Sequence, residues 1–435
     1  MNRFGFEVVA KRLYSSAPTN AAAKTTLTIL GATHATDGAT NVGAAVLERI
    51  PRRLHRVANH PINIIKERIE DYFKKTNANY KIVDALPPAV STKMNFDQLL
   101  FDQNHPARSP SDTYYVNKDT VLRTHTSAHQ SEVLASKTSN VGYLLTADVY
   151  RRDEIDLSHY PVFHQMEGIR LFDRKGLLKE TSEDFFTPLP KGAKITDPTG
   201  LSNPETNPVQ SLAHAKKDAE LVALHLKRAL EGLVWHLFGR DQNLEIRWIE
   251  AYFPFTSPSW EMEVFYNGKW LELLGCGVIQ QEILDASGNQ DKIGWAFGLG
   301  LERIAMVMFG IPDIRLFWST DSRFLSQFEK HDIQQQITFQ PYSKYPACYK
   351  DVSFWCPKEF HDNDMFEVVR DVAGDLAEDC ALIDTFKNPK TGRVSKCFRI
   401  NYRSMDRTLS NEDVDIIQDK VREEVAQRCK VELRG

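Results

Sequence analysis

Residues Gly142 to Phe172 read GYLLTADVYRRDEIDLSHYPVFHQMEGIRLF. Two strand-like runs, 143–150 and 162–172, rich in β-branched and aromatic residues, flank a charged loop. Side chains alternate along a strand, so Phe163, Gln165 and Glu167 share one face of the second run. That face offers an aromatic plate, an amide and a carboxylate to one ligand. The carboxylate suits an ammonium, the ring suits a stacked base, and Arg151, where the first run ends, can reach a phosphate. A salt-bridged surface hairpin has the same composition, so the surroundings must decide.

Downstream, alternating runs at 244–252, 260–266 and 270–275 continue the pattern, with Asn267-Gly268 as the hairpin turn between the last two. Upstream, Pro61–Phe73 (PINIIKERIEDYF) carries Ile62, Ile65, Ile69 and Phe73 on one stripe, and Pro61 suits a first helical turn. A strand-like stretch from Tyr80 stops at Pro87-Pro88. Five of the twenty prolines fall between Pro188 and Pro208, which predicts an inserted irregular loop, followed by a long helix over about Leu212–Phe238. Strands joined by hairpins, with helices on one side, predict an α+β fold built on an antiparallel sheet. From Phe339 the order is strand Val352–Trp355, helix Asp364–Leu376, strand Ala381–Phe386, turn Asn388–Gly392, strand Cys397–Tyr402 and helix Asn411–Cys429. That is the split βαβ pattern of a ferredoxin-like domain. The expected organisation is a flexible N-terminus over 1–45, a main domain over 46–310, a linker over 311–338 and the ferredoxin-like domain over 339–435.

Lys+Arg total 54 against 58 Asp+Glu, a net charge of -4, which excludes coating nucleic acid by charge along the whole chain but not local basic surfaces. The 435 residues suffice for two or three packed domains. No apolar run approaches the roughly 18 residues of a membrane span, so no membrane partner is expected. Six cysteines without a CxxC pair argue against a disulfide framework or zinc ribbon and for a reduced compartment. Residues 1–36 hold one acid, Glu7, with Arg3, Lys11, Arg12 and Lys24 among Ser, Thr and Ala. Phe4, Phe6, Val8, Val9 and Leu13 can share a helical face, the pattern of a mitochondrial presequence. An unstructured basic tail is the plainer alternative.

The chain has no GxxxxGK[ST], GxSxG or HExxH, and no GxGxxG opening a helix after a strand, so any ATP is not held by a P-loop. Leu122–Gln130 (LRTHTSAHQ) is a polar run at a helix start, in which His125 and His129 are either a metal pair or polar, substrate-facing histidines. Ile293–Arg303 (IGWAFGLGLER) runs small residues into a helix. Gly298 and Gly300 would let a ligand lie flat on a strand beneath Arg303, although a plain strand–helix corner looks the same.

Together these stretches resemble the three signature motifs of class II aminoacyl-tRNA synthetases, and in detail their phenylalanine-specific mitochondrial branch. Helix 61–73 with the strand ending at Pro88 is similar to motif 1, VYRRDE through FHQMEG to motif 2, and FGLGLER to motif 3. THTSAHQ, YFPFTSPSWEME and WLELLGCGV are similar to the phenylalanine-specific pieces, and the terminal unit to the anticodon-binding domain. The resemblance covers nearly all of 55–435. The Pro-rich stretch near 180–208 departs from it and carries no assigned role.

The resemblance implies ATP-dependent attachment of phenylalanine to tRNA(Phe) in the mitochondrial matrix through a phenylalanyl-adenylate, with ATP and Mg²⁺ as cofactors. Gln165 and Glu167 are then expected to bind the amino group, helped by His125, Ser127 and Gln130. Phe253 and Phe255 meet the substrate ring edge-on, with Ala296 at its para end. Arg151 and Arg303 are the catalytic pair, Arg151 on the α-phosphate and Arg303 sandwiching adenine against Phe163. Phe297 closes the base pocket, Asp153, Ser158, His159 and Tyr160 complete the ATP-binding set, and Glu272 holds Mg²⁺.

In the terminal unit, Lys387, Lys390, Arg393, Lys396, Arg399, Arg403 and Arg407 stand against one acid, Asp406, over 387–407. This predicts a phosphate-tracking stripe for RNA with Lys396, Arg399 and Arg403 as contacts, a solvated charged hairpin being the alternative. An apolar pocket rejects an added hydroxyl only about 100-fold, so tyrosine is the natural intruder. One core and one small terminal domain leave no room for a hydrolytic domain, so no editing is expected, and the single-chain form resembled is expected to be a monomer. Two rivals are a silent RNA-binding relative and a ligase that adenylates for another acceptor. Arg151, Glu167, Glu272 and Arg303 argue against the first, and the basic terminal unit against the second.

Overall fold

The computed structural model describes residues 26–434 apart from 77, 137–141, 185, 187–188, 190–192, 239–244, 267, 330–336, 342–344 and 406. The expected presequence therefore falls mainly outside the described residues. Eight strands make the main sheet: β1 (Tyr80–Val83), β2 (Gly142–Tyr150), β3 (Val162–Asp173), β4 (Lys194–Thr196), β5 (Glu245–Glu250), β6 (Thr256–Tyr266), β7 (Lys269–Ile279) and β8 (Lys292–Gly300). Their order is β1-β2-β3-β8-β7-β6-β5-β4. Every neighbour pair from β2 to β5 is antiparallel, as the hairpin pattern predicts, and only the edge strands β1 and β4 run parallel to their neighbours.

Two helices cover one face of the sheet. α1 (Pro61–Lys74) starts where His60 accepts the Ile62 N–H at 3.3 Å, and Ile62, Ile65, Ile69 and Phe73 form the predicted buried stripe. α2 (Lys216–Phe238) is shorter than expected, because residues 210–214 form a turn in which the Gln210 carbonyl accepts the N–H groups of Ala213 and His214. Trp295 and Phe297 on β8, Trp260 and Met262 on β6 and Phe172 on β3 pack beneath these helices. The opposite face carries a smaller apolar cluster around Ile169, Leu171, Ala296 and Ile283 and is otherwise open to the site.

Three boundaries differ from expectation. Thr26–Ile29 and Ala32–Ala35 pair as a hairpin with Ile29 buried, and the Asn41 side chain accepts the Tyr115 N–H at 2.6 Å, so order begins well before residue 45. The Pro-rich stretch is not wholly irregular: β4 pairs with Glu245–Arg247, and Lys194 reaches Glu245 at 2.5 Å. The expected linker at 311–338 joins the main core through Ile311, Ile314, Leu316, Phe317, Trp318, Phe324 and Phe328. Burying each such side chain contributes about 1.5–3 kcal/mol, which a free linker would forgo.

The C-terminal unit consists of β9 (Cys348–Trp355), a helix α4 that follows α3 (Leu301–Phe309) in the chain and spans Asp362–Ala373, β10 (Ala377–Lys387), β11 (Val394–Tyr402), α5 (Asn411–Arg428) and β12 (Glu432–Arg434). The sheet order is β10-β11-β9-β12. β12, a strand of three residues that periodicity could not reveal, pairs with Ser353–Trp355 and completes the ferredoxin-like pattern. Capping boxes His361–Asp364 and Ser410–Asp413 start α4 and α5. Val352, Phe354, Phe398 and Ile400 face Val368, Val421 and Val425 in a separate core.

Candidate active site

A cavity of about 540 Å³ opens on the uncovered face of the main sheet. Its floor is β3 beside β8, in the register Gln165–Gly300 and Glu167–Gly298. A Cβ added at Gly298 or Gly300 would meet nothing within 4 Å, so the two glycines leave the floor flat. The first turn of α3 is pinned to β3 by buried Glu302, which accepts the His164 N–H at 2.8 Å and lies 2.6 Å from its Nδ1. That fastening seats the start of α3 beside β3, and from the same turn Arg303 reaches the Glu272 carbonyl on β7.

At the inner end, Glu167 is buried, and among the described residues no side chain forms an ion pair with its carboxylate, whose polar neighbours are the Ser127 and Thr126 hydroxyls. Burial pushes its carboxyl up to about 7, and the Ser127 and Thr126 hydroxyls offset this only in part. Burial, followed by the Arg151 charge, lowers His125 to about 3 against the smaller pull of the Asn95 backbone, so it is neutral. Gln130 is buried, its amide has no hydrogen-bond partner among the described residues, and it does not line the cavity. His129 excludes the metal-pair reading: its Nε2 meets Arg123 at 3.0 Å and its Nδ1 meets Glu132 at 3.2 Å. Arg123 in turn grips Asp148 on β2 through its carbonyl and carboxylate, each at 2.6 Å, which fixes the 122–130 run against the sheet.

The aromatic wall comes from residues 251–256 and from a neighbour that sequence reasoning missed. Phe253 and Phe255 stack at 5.8 Å. Phe101 lies 6.0 Å from Phe255 and stacks on His125 at 5.7 Å. Phe101 belongs to no periodic or motif-like run, and only the long-range packing brings it here. Gly275 is required: a Cβ there would sit 2.5 Å from the Phe253 ring. Ala296 closes the bottom beside Ile169 and Ile283.

At the outer end, Arg151 donates from Nε to the Thr124 carbonyl at 2.9 Å and lies over the Phe163 ring at 5.3 Å. Arg303 donates to the Glu272 carbonyl at 2.9 Å, 3.5 Å from the Glu272 carboxylate. Asp156 holds the loop: it accepts the Ser158 N–H at 2.6 Å and the His159 N–H at 2.7 Å, and lies 2.7 Å from His159 Nδ1. The Asp156 carboxylate raises the His159 pKa. The Asp153 carboxylate stands in the field of Arg151, while Arg370 of the C-terminal unit grips the Asp153 and Glu154 carbonyls. Ile155 is buried in the C-terminal core and its carbonyl accepts the Cys380 N–H at 2.9 Å.

Three expectations are corrected. Phe297 is among the residues lining the cavity, but its ring points to the helix-covered face, stacked on Phe73 at 5.6 Å, because it neighbours Ala296 on a strand, so the ring itself does not close a base pocket. Tyr160 turns away from the cavity, with its hydroxyl donating to Asp375 and accepting from Arg49 Nε, both at 2.7 Å. The basic stripe of the C-terminal unit is divided. Lys396 shares the buried parity of Phe398 and pairs with Asp362 at 2.5 Å, whereas Arg399 is on the open face, held by Asp351 at 2.8 Å. Arg403 pairs with Glu378 at 3.1 Å.

An antiparallel sheet with a motif-like hairpin, a glycine strand running into an arginine-bearing helix, and a separate ferredoxin-like unit define a class II tRNA synthetase. A family described as "tRNA synthetases class II core domain (F)" matches residues 44–189 and 211–328, and "Ferredoxin-fold anticodon binding domain" matches 343–434. Among curated relatives, "Phenylalanine--tRNA ligase, mitochondrial" of Mus musculus is 46% identical, covering 94% of this chain and 89% of its own. "Phenylalanine--tRNA ligase, chloroplastic/mitochondrial" of Arabidopsis thaliana is 48% identical over 92% and 83%. The mitochondrial ligase of Saccharomyces cerevisiae is 43% identical over 91% and 92%. The chain belongs to the phenylalanine–tRNA ligase family, in its mitochondrial branch.

Proposed function

We propose that the chain charges tRNA(Phe) with phenylalanine in the mitochondrial matrix, in two steps. The phenylalanine carboxylate attacks the ATP α-phosphorus, releasing pyrophosphate and forming phenylalanyl-adenylate. The terminal ribose hydroxyl of the tRNA then attacks the adenylate carbonyl, releasing AMP. The observation that carries this reading is one cavity that joins a buried carboxylate with no ion-pair partner among the described residues, an aromatic wall and an arginine at its mouth.

Glu167 and Gln165 take the substrate ammonium, with Ser127 at their side, and the neutral His125 offers hydrogen bonds without repelling the cation. Gln130, which does not line the cavity, supports this end. Phe253, Phe255 and Phe101 hold the ring, and Ala296 sets its depth. Arg151 meets the charge that builds on the α-phosphate, and Arg303 with Phe163 holds the adenine. Asp153, Ser158 and His159 steer the remaining phosphates. No protein nucleophile is needed, since positioning and charge stabilisation carry both steps.

Glu272 fits a Mg²⁺ site: it stands half-exposed at the cavity, and after burial its charge and that of Glu263 push the Glu261 carboxyl up. Mg²⁺ there would be held by Glu272 and neutralise phosphate charge. In the C-terminal unit, Arg399 and Arg403 contact the tRNA. The N-terminal segment acts as a presequence, the enzyme works as a monomer, and this chain does not hydrolyse mischarged tRNA. The test is amino-acid-dependent ATP–pyrophosphate exchange across all twenty amino acids, followed by tRNA charging. Strong exchange with phenylalanine and weak exchange with tyrosine are expected, and no exchange with any amino acid overturns the reading.

A further inference from the structure

The segment Lys194–Gln210 lies between the two stretches matched by the class II core, and it ends in two amides directed at the loop that bears Phe253 and Phe255. Asn207 is buried. Its Oδ1 accepts the Ser259 N–H at 2.7 Å and its Nδ2 donates to the Ser259 carbonyl at 2.8 Å, so one side chain takes both polar groups of one backbone residue. Gln210 donates from Nε2 to the carbonyls of Ser257 at 2.8 Å and Ile279 at 3.2 Å, and its Oε1 accepts the Gln281 N–H at 2.8 Å. The Ser257 hydroxyl donates back to the Pro208 carbonyl at 2.7 Å.

These contacts fix both ends of the ring-bearing loop. The Ser259 carbonyl also accepts the Ala251 N–H at 3.1 Å, and the Phe255 carbonyl accepts the Gln280 N–H at 3.0 Å. Asn207 is itself presented by a reciprocal backbone pair with Asn203, at 2.8 and 2.9 Å. Farther back, Lys227 of α2 anchors the segment through Asp197 at 2.7 Å and the Gly200 carbonyl at 2.7 Å. Neither Asn207 nor Gln210 lines the cavity.

We propose that Asn207 and Gln210 are positioning residues for the amino-acid ring pocket, and that through them the inserted segment sets the pocket's shape and the choice of phenylalanine over tyrosine. This rests on the reading that Phe253 and Phe255 hold the substrate ring. Losing either amide leaves buried backbone groups of the loop without partners, so the loop relaxes and the ring wall shifts.

The experiment is pyrophosphate exchange by full-length Asn207→Ala, Asn207→Asp and Gln210→Ala, with Thr206→Ala as control, because the exposed Thr206 side chain donates to Glu250, outside the loop. Expected are a rise of roughly tenfold in KM for phenylalanine, an unchanged KM for ATP, and a several-fold loss of preference over tyrosine. The control is expected to match the parent. Equal rises in both KM values, a fall in kcat alone, or parental constants in all three variants overturns the proposal. If Asn207→Ala does not fold, the other two variants decide. Phe253→Leu separates the premises. Should it raise KM for phenylalanine while the amide variants do not, only this inference falls. Should it too leave KM unchanged, the ring-pocket reading falls with it.

Discussion

Replacing Glu167 by glutamine removes a group whose ionisation its burial opposes. Burial carries this carboxyl from its ordinary 4.5 up to about 7, against the smaller pull of the Ser127 and Thr126 hydroxyls. That rise corresponds to about 3 kcal/mol against the ionised form. The folded protein keeps a proton that the unfolded chain gives up from about pH 4.5. Stability therefore falls as pH rises through the window from about 4.5 to about 7 and levels off above it. Glutamine has no proton to lose. Glu167→Gln is thus expected to match the parent near pH 4.5 and exceed its stability by up to about 3 kcal/mol at pH 8, read from the urea unfolding of both proteins at the two pH values. In exchange assays the same variant is expected to lose roughly 30-fold or more in kcat/KM for phenylalanine, since an ammonium then meets a neutral amide. The parent's KM for phenylalanine is expected to be about tenfold higher at pH 6 than well above pH 7, as the carboxylate becomes protonated. Parallel stability–pH curves for variant and parent would refute the desolvation argument, and unimpaired phenylalanine activation would remove Glu167 from the ammonium site.

Other variants probe the remaining assignments. Phe297→Ala opens a void against Phe73 in the helix-covered core and is expected to cost about 3–5 kcal/mol in unfolding free energy with KM for ATP unchanged; a large KM effect without destabilisation would return Phe297 to the base pocket. Gly275→Ala forces a Cβ to 2.5 Å from the Phe253 ring. It should raise KM for phenylalanine roughly five- to a hundredfold, and unchanged steady-state constants would show that the wall is not where the substrate ring binds. Charge reversal at Arg399 and Arg403 is expected to weaken tRNA charging while sparing pyrophosphate exchange, and equal losses in both assays would count against a tRNA-specific role.

Much of the site was legible because short-range rules govern it. Period-two alternation placed Phe163, Gln165 and Glu167 on one face, and the glycines at 298 and 300 marked the floor. The same rule, applied consistently, separates Phe297 from Ala296 and Lys396 from Arg399, each pair an odd number of residues apart on one strand. Those two corrections were thus within reach of the sequence. Tyr160 was not, because its partner Asp375 lies 215 residues away. Nor was the packing of 311–328, whose apolar residues show no single period.

Strand alternation, helix period and turn chemistry act between near neighbours, so the antiparallel α+β core, the helix stripe of Ile62, Ile65, Ile69 and Phe73, the ferredoxin-like order and the motif residues can all be read along the chain. Folding alone brings Phe101 into the aromatic wall, buries Glu167 so that it is weakly acidic, and carries Asn207 and Gln210 to the loop of Phe253 and Phe255. These depend on desolvation and on contacts between segments far apart in the chain, quantities that exist only once the core has closed around them.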